Sequence, residues 1–259
     1  MHIAIALLQL GYRVGTIDLD ARQGTLTRYL SNRFSTITKT RHNLPSPDHM
    51  AIDRSRKESE QDKRLEDSSF LEMAHGELAQ IADYIVIDTP GSDTYLNRLA
   101  HNMADTLITP MNDSFIDLDV LAHLDPEGQN ITVPSFYANM VMDIQSRRRR
   151  EGRAEIDWIV MRNRLSPLDA HNKRQIAQAL DELKDRLGFR LAPGFGERVI
   201  FRELFLRGLT LMDLKLPGSQ SLSMSEITAR QEVRNLVYMI APQAVQKSGV
   251  NRDKFMVQG

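Results

Sequence analysis

The chain has 259 residues, 41% hydrophobic and 26% charged, enough for a large core in one sizeable domain or two small ones. A count of 33 Lys and Arg against 34 Asp and Glu gives a net charge of -1, which excludes a global pull toward nucleic acid or membrane. The absence of cysteine excludes disulfides, thiolate zinc sites and Cys-ligated iron–sulfur clusters and suits a reducing compartment, so the cytoplasm is the expected location.

The opening "MHIAIALLQLG" is apolar almost throughout, has no N-cap and ends at Gly11, like a helix joined in mid-course. It lacks the basic n-region and cleavage site of a secretion signal, and no apolar run reaches the ~18–20 residues of a membrane span. A strand follows in "YRVGTID". The polar stretch from Asn32 to Lys63, with Pro45 and Pro47, is expected to be a long exposed loop. An amphipathic helix in "SSFLEMAHGELAQIA" leads into the strand "YIVID"; a helix near "TYLNRLAHNMA" precedes the strand "DTLITP", and "DSFIDLDVLAHL" is expected to be helical. The charged "MDIQSRRRREGR" precedes the strand "IDWIVMRN". Helices are then expected around "DAHNKRQIAQALDELKDRLG", "ERVIFRELFLRG" and "MSEITARQEVRNLVYMIA", with a short extended "FRLAP" between the first two. Helices alternating with short β-rich runs predict an α/β fold, a mostly parallel sheet with helices on both faces. The expected organisation is one nucleotide-binding domain over residues 1–241 and a flexible tail over 242–259.

Ligands of an open parallel sheet sit outside the carboxyl ends of its strands. Two strands here end in acids: "GTIDLDARQ" supplies Asp18 and Asp20, and "YIVIDTPG" supplies Asp88 followed by Thr89, Pro90 and Gly91. A carboxylate in that position can hold Mg²⁺ directly or through water, because hard cations prefer oxygen and Mg²⁺ keeps much of its hydration. Gly91 lets backbone approach a terminal phosphate closely. One such acid alone could equally cap the next helix; two in order, one followed by "TPG", favour a nucleotide.

The pairing of "IDLDARQ" with "IDTPG" resembles the ParA/MinD superfamily of deviant Walker ATPases. The segments "ITPMNDSFIDLD", "DWIVMRNRL", "GFRLAPG", "ERVIFRELFLRGLTLMDL" and "ARQEVR" are similar to its MipZ branch, in order, from residue 11 to about 240. The resemblance implies a deviant P-loop NTPase fold and a homodimer that encloses two ATP molecules with Mg²⁺. By resemblance, Asp20 belongs to the switch that orders the attacking water, Asp88 is the Walker B acid acting on Mg²⁺ through water, and Gly91 belongs to the switch that senses the γ-phosphate. Asn163 matches the asparagine that reads the adenine edge, a task for an amide that both donates and accepts. Asp18 is either a nucleotide-site residue or a structural brace of the switch turn.

The family also has a first strand and a loop of the form K-G-G-x-G-K-[ST], whose N–H groups and lysines cradle the phosphates. The 259 residues contain no Gly-Lys dipeptide. The expectation is a start codon assigned too late, ahead of a remnant that has lost catalysis; in either case these residues by themselves are expected to bind ATP weakly and hydrolyse little, since phosphoryl transfer rests on positioning and electrostatics.

The resemblance further implies sequence-independent DNA binding by the ATP dimer, which places it on the nucleoid, with Lys173, Arg174, Arg190, Arg198 and Arg202 as candidate phosphate contacts. Ala179 stands where the family pattern is basic. The run "RRRREGR" reads first as a solvated helix face. Implied partners are a ParB-like centromere-binding protein and the division tubulin FtsZ, whose assembly the dimer inhibits. A ParA-type partition ATPase and a nucleotide-free binding module are the rival readings. The final "QKSGVNRDKFMVQG" is too sparsely apolar for a membrane helix of the MinD kind.

Overall fold

The computed structural model describes residues 1–20, 23–124, 131–165, 170–214 and 222–247. In chain order the elements are α1 (His2–Gln9), β1 (Val14–Asp18), α2 (Thr25–Thr40), β2 (Asp48–Ala51), α3 (Glu60–Ile81), β3 (Tyr84–Asp88), α4 (Tyr95–Met103), β4 (Thr106–Asn112), α5 (Phe115–Leu118), β5 (Ala122–Leu124), β6 (Ile131–Pro134), α6 (Phe136–Arg150), β7 (Asp157–Asn163), α7 (Ala170–Leu187), β8 (Arg190–Ala192), α8 (Ile200–Arg207), α9 (Met224–Ile240) and α10 (Pro242–Lys247). The fold is α/β, with parallel sheets flanked by helices. The chain divides into two compact units, Met1–Ala100 with Arg198–Gly259, and His101–Glu197.

In the first unit the sheet order is β2-β1-β3, all parallel. All five residues of β1 are buried, as a central strand covered on both faces requires. Gly15 lies under Leu78 of α3, whose carbons would stand 3.1 Å from an added Cβ, so the missing side chain lets α3 sit close on the sheet. Strand β3 has the apolar run Tyr84–Ile87, yet all four residues are only half-buried, because β3 is an edge strand here. Helix α1 buries Ala4 through Leu7 and packs with α9, and Tyr12 Oη donates to the carbonyl of Ala244. The end of the chain that was expected to be a flexible tail from residue 242 therefore includes the short helix α10, with Ala244 and Val245 buried. Residues 248–259 lie outside the described residues.

The stretch Asn32 to Lys63 departs from the expected exposed loop. Helix α2 continues to Thr40, β2 pairs with β1 from Gly15↔Asp48 to Asp18↔Ala51, and α3 begins at Glu60, capped by Ser59. Arg33, within that stretch, is fully buried. Its Nε donates to Pro45 O (2.9 Å), its Nη1 to Gly208 O (3.0 Å), and Nη1 and Nη2 reach both oxygens of Asp213 at 2.9 Å. Asp213 also accepts from the N–H and Oγ1 of Thr210. At Gly208 (φ +61°) a Cβ would stand 1.9 Å from the backbone nitrogen of Arg33, so α8 can end against α2 in this way only with glycine.

His2, at the start of α1, is edge-on to Tyr29 and Phe201, and its Nε2 is buried without a hydrogen-bond partner among the described residues. Burial, helped by the neighbouring chain-terminal ammonium and opposed by Asp213, pushes its pKa down to about 3. A folded-state pKa below the unfolded value means that the unfolded chain binds the extra proton, so this stability is whole above pH 6.5 and is lost as pH falls toward 3. Unfolding free energy is expected to drop by about 2 kcal/mol from this group between pH 7 and pH 5, and His2→Phe should flatten that part of the profile in urea titrations.

In the second unit the sheet order is β4-β7-β8, parallel, and β5 and β6 form a short antiparallel ladder. The segment "DSFIDLDVLAHL" is helical only over α5; its end is β5, which pairs with β6. Trp158 anchors the core and donates to Thr109 Oγ1 (3.0 Å), which also bonds Tyr137 Oη (2.8 Å). The arginine run ends α6. Arg148 is buried and caps the carbonyls of Asn102, Ala104 and Ala154, while Arg147, Arg149 and Arg150 are exposed.

Candidate nucleotide-binding site

Strands β1 and β3 end level: Asp18 pairs with Asp88 in the register, and Leu19 N–H donates to Asp88 O. The acids of the two strands therefore meet at one carboxyl edge.

Asp18 is fully buried and both its oxygens are used. Oδ1 accepts from Asp20 N–H (3.0 Å), and Oδ2 accepts from Thr27 N–H (3.0 Å) and Oγ1 (2.7 Å). It ties the loop after β1 to the first turn of α2. Thr27 Oγ1 also meets His49 Nε2, and His49 Nδ1 meets Thr16 Oγ1, each at 3.0 Å, so β2 braces the same turn. Desolvation lowers the His49 pKa, with Asp18 and Thr16 opposing, which keeps the ring neutral between its two hydroxyl partners.

Asp20 begins the turn with its carbonyl, which accepts from Gln23 N–H (2.9 Å) and Gly24 N–H (2.7 Å). Its carboxylate has no side-chain partner among the described residues; Ala21 and Arg22 lie outside them. Asp88 keeps solvent access at the strand end, yet enough protein surrounds it that desolvation is the largest cause raising its pKa. The Met1 ammonium lowers it, and Asp18 and Asp20 raise it further. The electrostatic coupling places Asp18, Asp20, Asp88 and the start of α1 around one spot.

Beyond Asp88, Thr89 is half-buried and Pro90 buried, and the turn is held from below by Asn97, whose Nδ2 donates to Pro90 O (2.9 Å) and Ser92 O (3.0 Å). Arg54 Nη2 reaches Ser92 Oγ at 3.2 Å from the loop after β2. Gly91 is exposed, and a Cβ there would meet nothing within 4 Å. Open space at Gly91, near the carboxylates of Asp20 and Asp88, which accept no hydrogen bond from the described residues, suits a hydrated cation and a phosphate, so this edge fits Mg²⁺ and a nucleotide. The described residues hold no cluster of three or more acids or histidines able to ligate a metal directly.

Asn163 ends β7 in the second unit, opposite Asn112. Arg162 beside it is paired with Asp113, with Nε–Oδ1 at 2.8 Å. The segment 194–197 is strapped to this strand end by Phe195 N–H to Arg162 O and Leu165 N–H to Phe195 O, and Gly194 approaches Arg162 O too closely for any side chain.

The candidate basic residues are scattered. Arg190 is bidentate with Asp157, and Arg198 with Glu232, the latter pair mostly buried. Arg174 and Arg202 are exposed, and the side chain of Lys173 lies outside the described residues. His49, Thr27 and Asn97, which hold the two turns, carry no sequence signal that separates them from ordinary surface polar residues.

A carboxyl edge of this kind, with the further motifs in order along the chain, is matched by one family model. The model of the ATPase MipZ family covers residues 1–242. The chain belongs to the MipZ ATPase family. Solved structures of similar fold include a plasmid partition protein of Borrelia burgdorferi B31 bound to AMPPNP (TM-score 0.55, 17% identity, 93% of this chain and 91% of that one). Others are the septum site-determining protein MinD of Pyrococcus horikoshii OT3 with Mg-ADP (TM-score 0.54, 15% identity, 96% and 91%) and apo McdA of Cyanthece (TM-score 0.51, 17% identity, 90% and 92%). Identities this low speak for the fold alone. No curated protein sequence matches the chain. For this MipZ-family member, no helix among the described residues is long and apolar enough to cross a membrane.

Proposed function

We propose that this chain is an ATP-dependent spatial regulator of cell division, whose nucleotide state sets whether it is a monomer or a homodimer. The observation that carries the proposal is the convergence of Asp18, Asp20 and Asp88 at one carboxyl edge under the open Gly91. Asp88 would hold Mg²⁺ through water, Asp20 would orient the attacking water, and the turn Thr89–Pro90–Gly91 would face the terminal phosphate, with Asp18 bracing the switch. Asn163 is assigned to the adenine edge. Bound ATP with Mg²⁺ supplies the phosphoryl group and the charge that a dimer would enclose.

The dimer would bind DNA without sequence preference. Arg174 and Arg202, exposed on α7 and α8, are candidates for phosphate contacts together with Lys173, and with Arg190 and Arg198, whose guanidinium groups hold carboxylates. Such retention places the ATP state on the nucleoid, and affinity should fall steeply with salt. A ParB-like protein would recruit the monomer, and FtsZ assembly would be inhibited by the dimer.

Sedimentation of FtsZ polymers tests this reading. Addition of the protein with ATP is expected to reduce the pelleted FtsZ, and addition with ADP to leave it unchanged. Unchanged FtsZ together with ATP-dependent dimerisation and DNA retention would point instead to a ParA-type partition ATPase. A binding module without nucleotide is one further reading, for which ATP would change neither mass nor DNA retention.

A further inference from the structure

Away from the carboxyl edge, the first unit has a half-open pocket of about 320 Å³ lined by Gln9, Asn43, Pro45, Asp213, Arg230 and Arg234. It shares no residue with the nucleotide site. Arg230 is 2% exposed; its Nε donates to Leu211 O at 3.0 Å, and its Nη2 has no partner among the described residues. A buried guanidinium nitrogen without an acceptor is costly, and such groups in folded proteins call for an explanation.

Arg234 lies one turn further along α9, also buried. The nearby acids are already engaged: Asp213 accepts from Arg33 and Thr210, and Glu226 accepts from the N–H and Oγ of Ser223 in the capping box of α9. Neither carboxylate is therefore free to take Nη2 of Arg230, which has no acceptor among the described residues. Burial lowers the pKa of both Arg230 and Arg234; Glu226 and Asp213 oppose this at Arg230, and Arg230 adds to it at Arg234. The missing complement is an anion. The volume is at the lower end of the ~300–1,000 Å³ of small-molecule pockets, more than a bare ion fills, and Arg230 is too deep for the backbone of a DNA duplex.

We propose that this cavity binds a small molecule through an oxyanion group, a phosphate or a carboxylate, with Arg230 as its principal ligand and Asn43 at the rim. Charge-assisted bonds to a guanidinium fork would satisfy Nη2 and screen Arg230 from Arg234.

Thermal unfolding with inorganic phosphate and with acetate, against sodium chloride at matched ionic strength, tests the proposal. Phosphate also stabilises proteins generally by exclusion from their surface, an effect that grows linearly with concentration, so only the additional rise that is logarithmic in concentration, as binding to a site requires, counts. Such a rise of about 3 °C at tenfold excess over the dissociation constant is expected, lost in Arg230→Gln. A logarithmic rise with phosphate alone identifies a phosphoryl group as the ligand chemistry, and one with acetate a carboxylate. A logarithmic rise with neither, or one that survives in Arg230→Gln, overturns the proposal. Should Arg230→Gln fail to fold, Asn43→Glu replaces it, since Asn43 is exposed and the new carboxylate would compete at the mouth; an unchanged logarithmic rise in that variant overturns the proposal equally.

Discussion

Replacement of Arg33 by methionine is expected to lower the unfolding free energy by about 3–5 kcal/mol, a fall in Tm of roughly 8–15 °C for a chain of this size. Both side chains of the Arg33–Asp213 pair are 1% exposed, and the arginine also holds the carbonyls of Pro45 and Gly208. Its removal would leave a buried carboxylate with only the two donors of Thr210 and would unfasten α2 from the loop after it and from the end of α8. Most of the cost is that of the uncompensated charge rather than the net worth of the pair. The test is therefore a double variant: Arg33→Met with Asp213→Asn, which keeps an acceptor for Thr210, is expected to recover a substantial part of the loss. If the double variant is as unstable as the sum of the singles, the charge argument is wrong and packing of the arginine stem explains the effect.

ATP affinity is expected to rise by at least about two orders of magnitude when a glycine-lysine phosphate loop and its strand precede Met1, compared with the 259 residues alone. The edge built by β1 and β3 supplies acids and an open turn but few donors: Asp88 repels a triphosphate unless a cation intervenes, and backbone N–H groups with lysines are what make such a site attractive to phosphate. In the longer chain, Asp88→Asn should abolish Mg²⁺-dependent turnover while leaving the protein folded, because the carboxylate makes no hydrogen bond that holds the structure. Asp18→Asn should behave differently and loosen the switch turn, since an amide has one acceptor oxygen: with that oxygen on the two Thr27 donors, its NH2 would face the N–H of Asp20. Calorimetric titration of ATP and a phosphate-release assay check both results. Equal affinity with and without the loop would refute the prediction.

The strands that position the site were legible because each is an apolar run of strand length ended by an acid or an asparagine: Val14–Asp18, Tyr84–Asp88, Thr106–Asn112 and Asp157–Asn163 all formed where their pattern predicts. The segment from Asn32 to Lys63 was not legible. Strand β2 is "DHMA", with no alternation and no β-branched residue, and it exists because β1 offers it an open ladder; the second half of α2 reads as polar because its one deeply buried side chain is an arginine. Tertiary pairing overrides local propensity at both places. At the site, the acids announced themselves by their place at strand ends. The hydroxyl and imidazole groups that hold the turns did not, since His49, Thr27 and Asn97 acquire their meaning from side chains nine or more residues away or from backbone carbonyls. Sequence also cannot separate Arg148, which caps three carbonyls from inside, from the exposed arginines on either side of it.

Among the edge strands of the described residues, β3 and β4 differ in what they invite. Strand β4 carries Pro110, which offers no N–H to an incoming neighbour. Strand β3 runs Tyr-Ile-Val-Ile with no proline or glycine, and charge stands only at its ends, in Asp83 and Asp88. Such an edge is a template for adding foreign strands, and with gatekeepers only at the flanks it makes aggregation the hazard to watch as these 259 residues are concentrated.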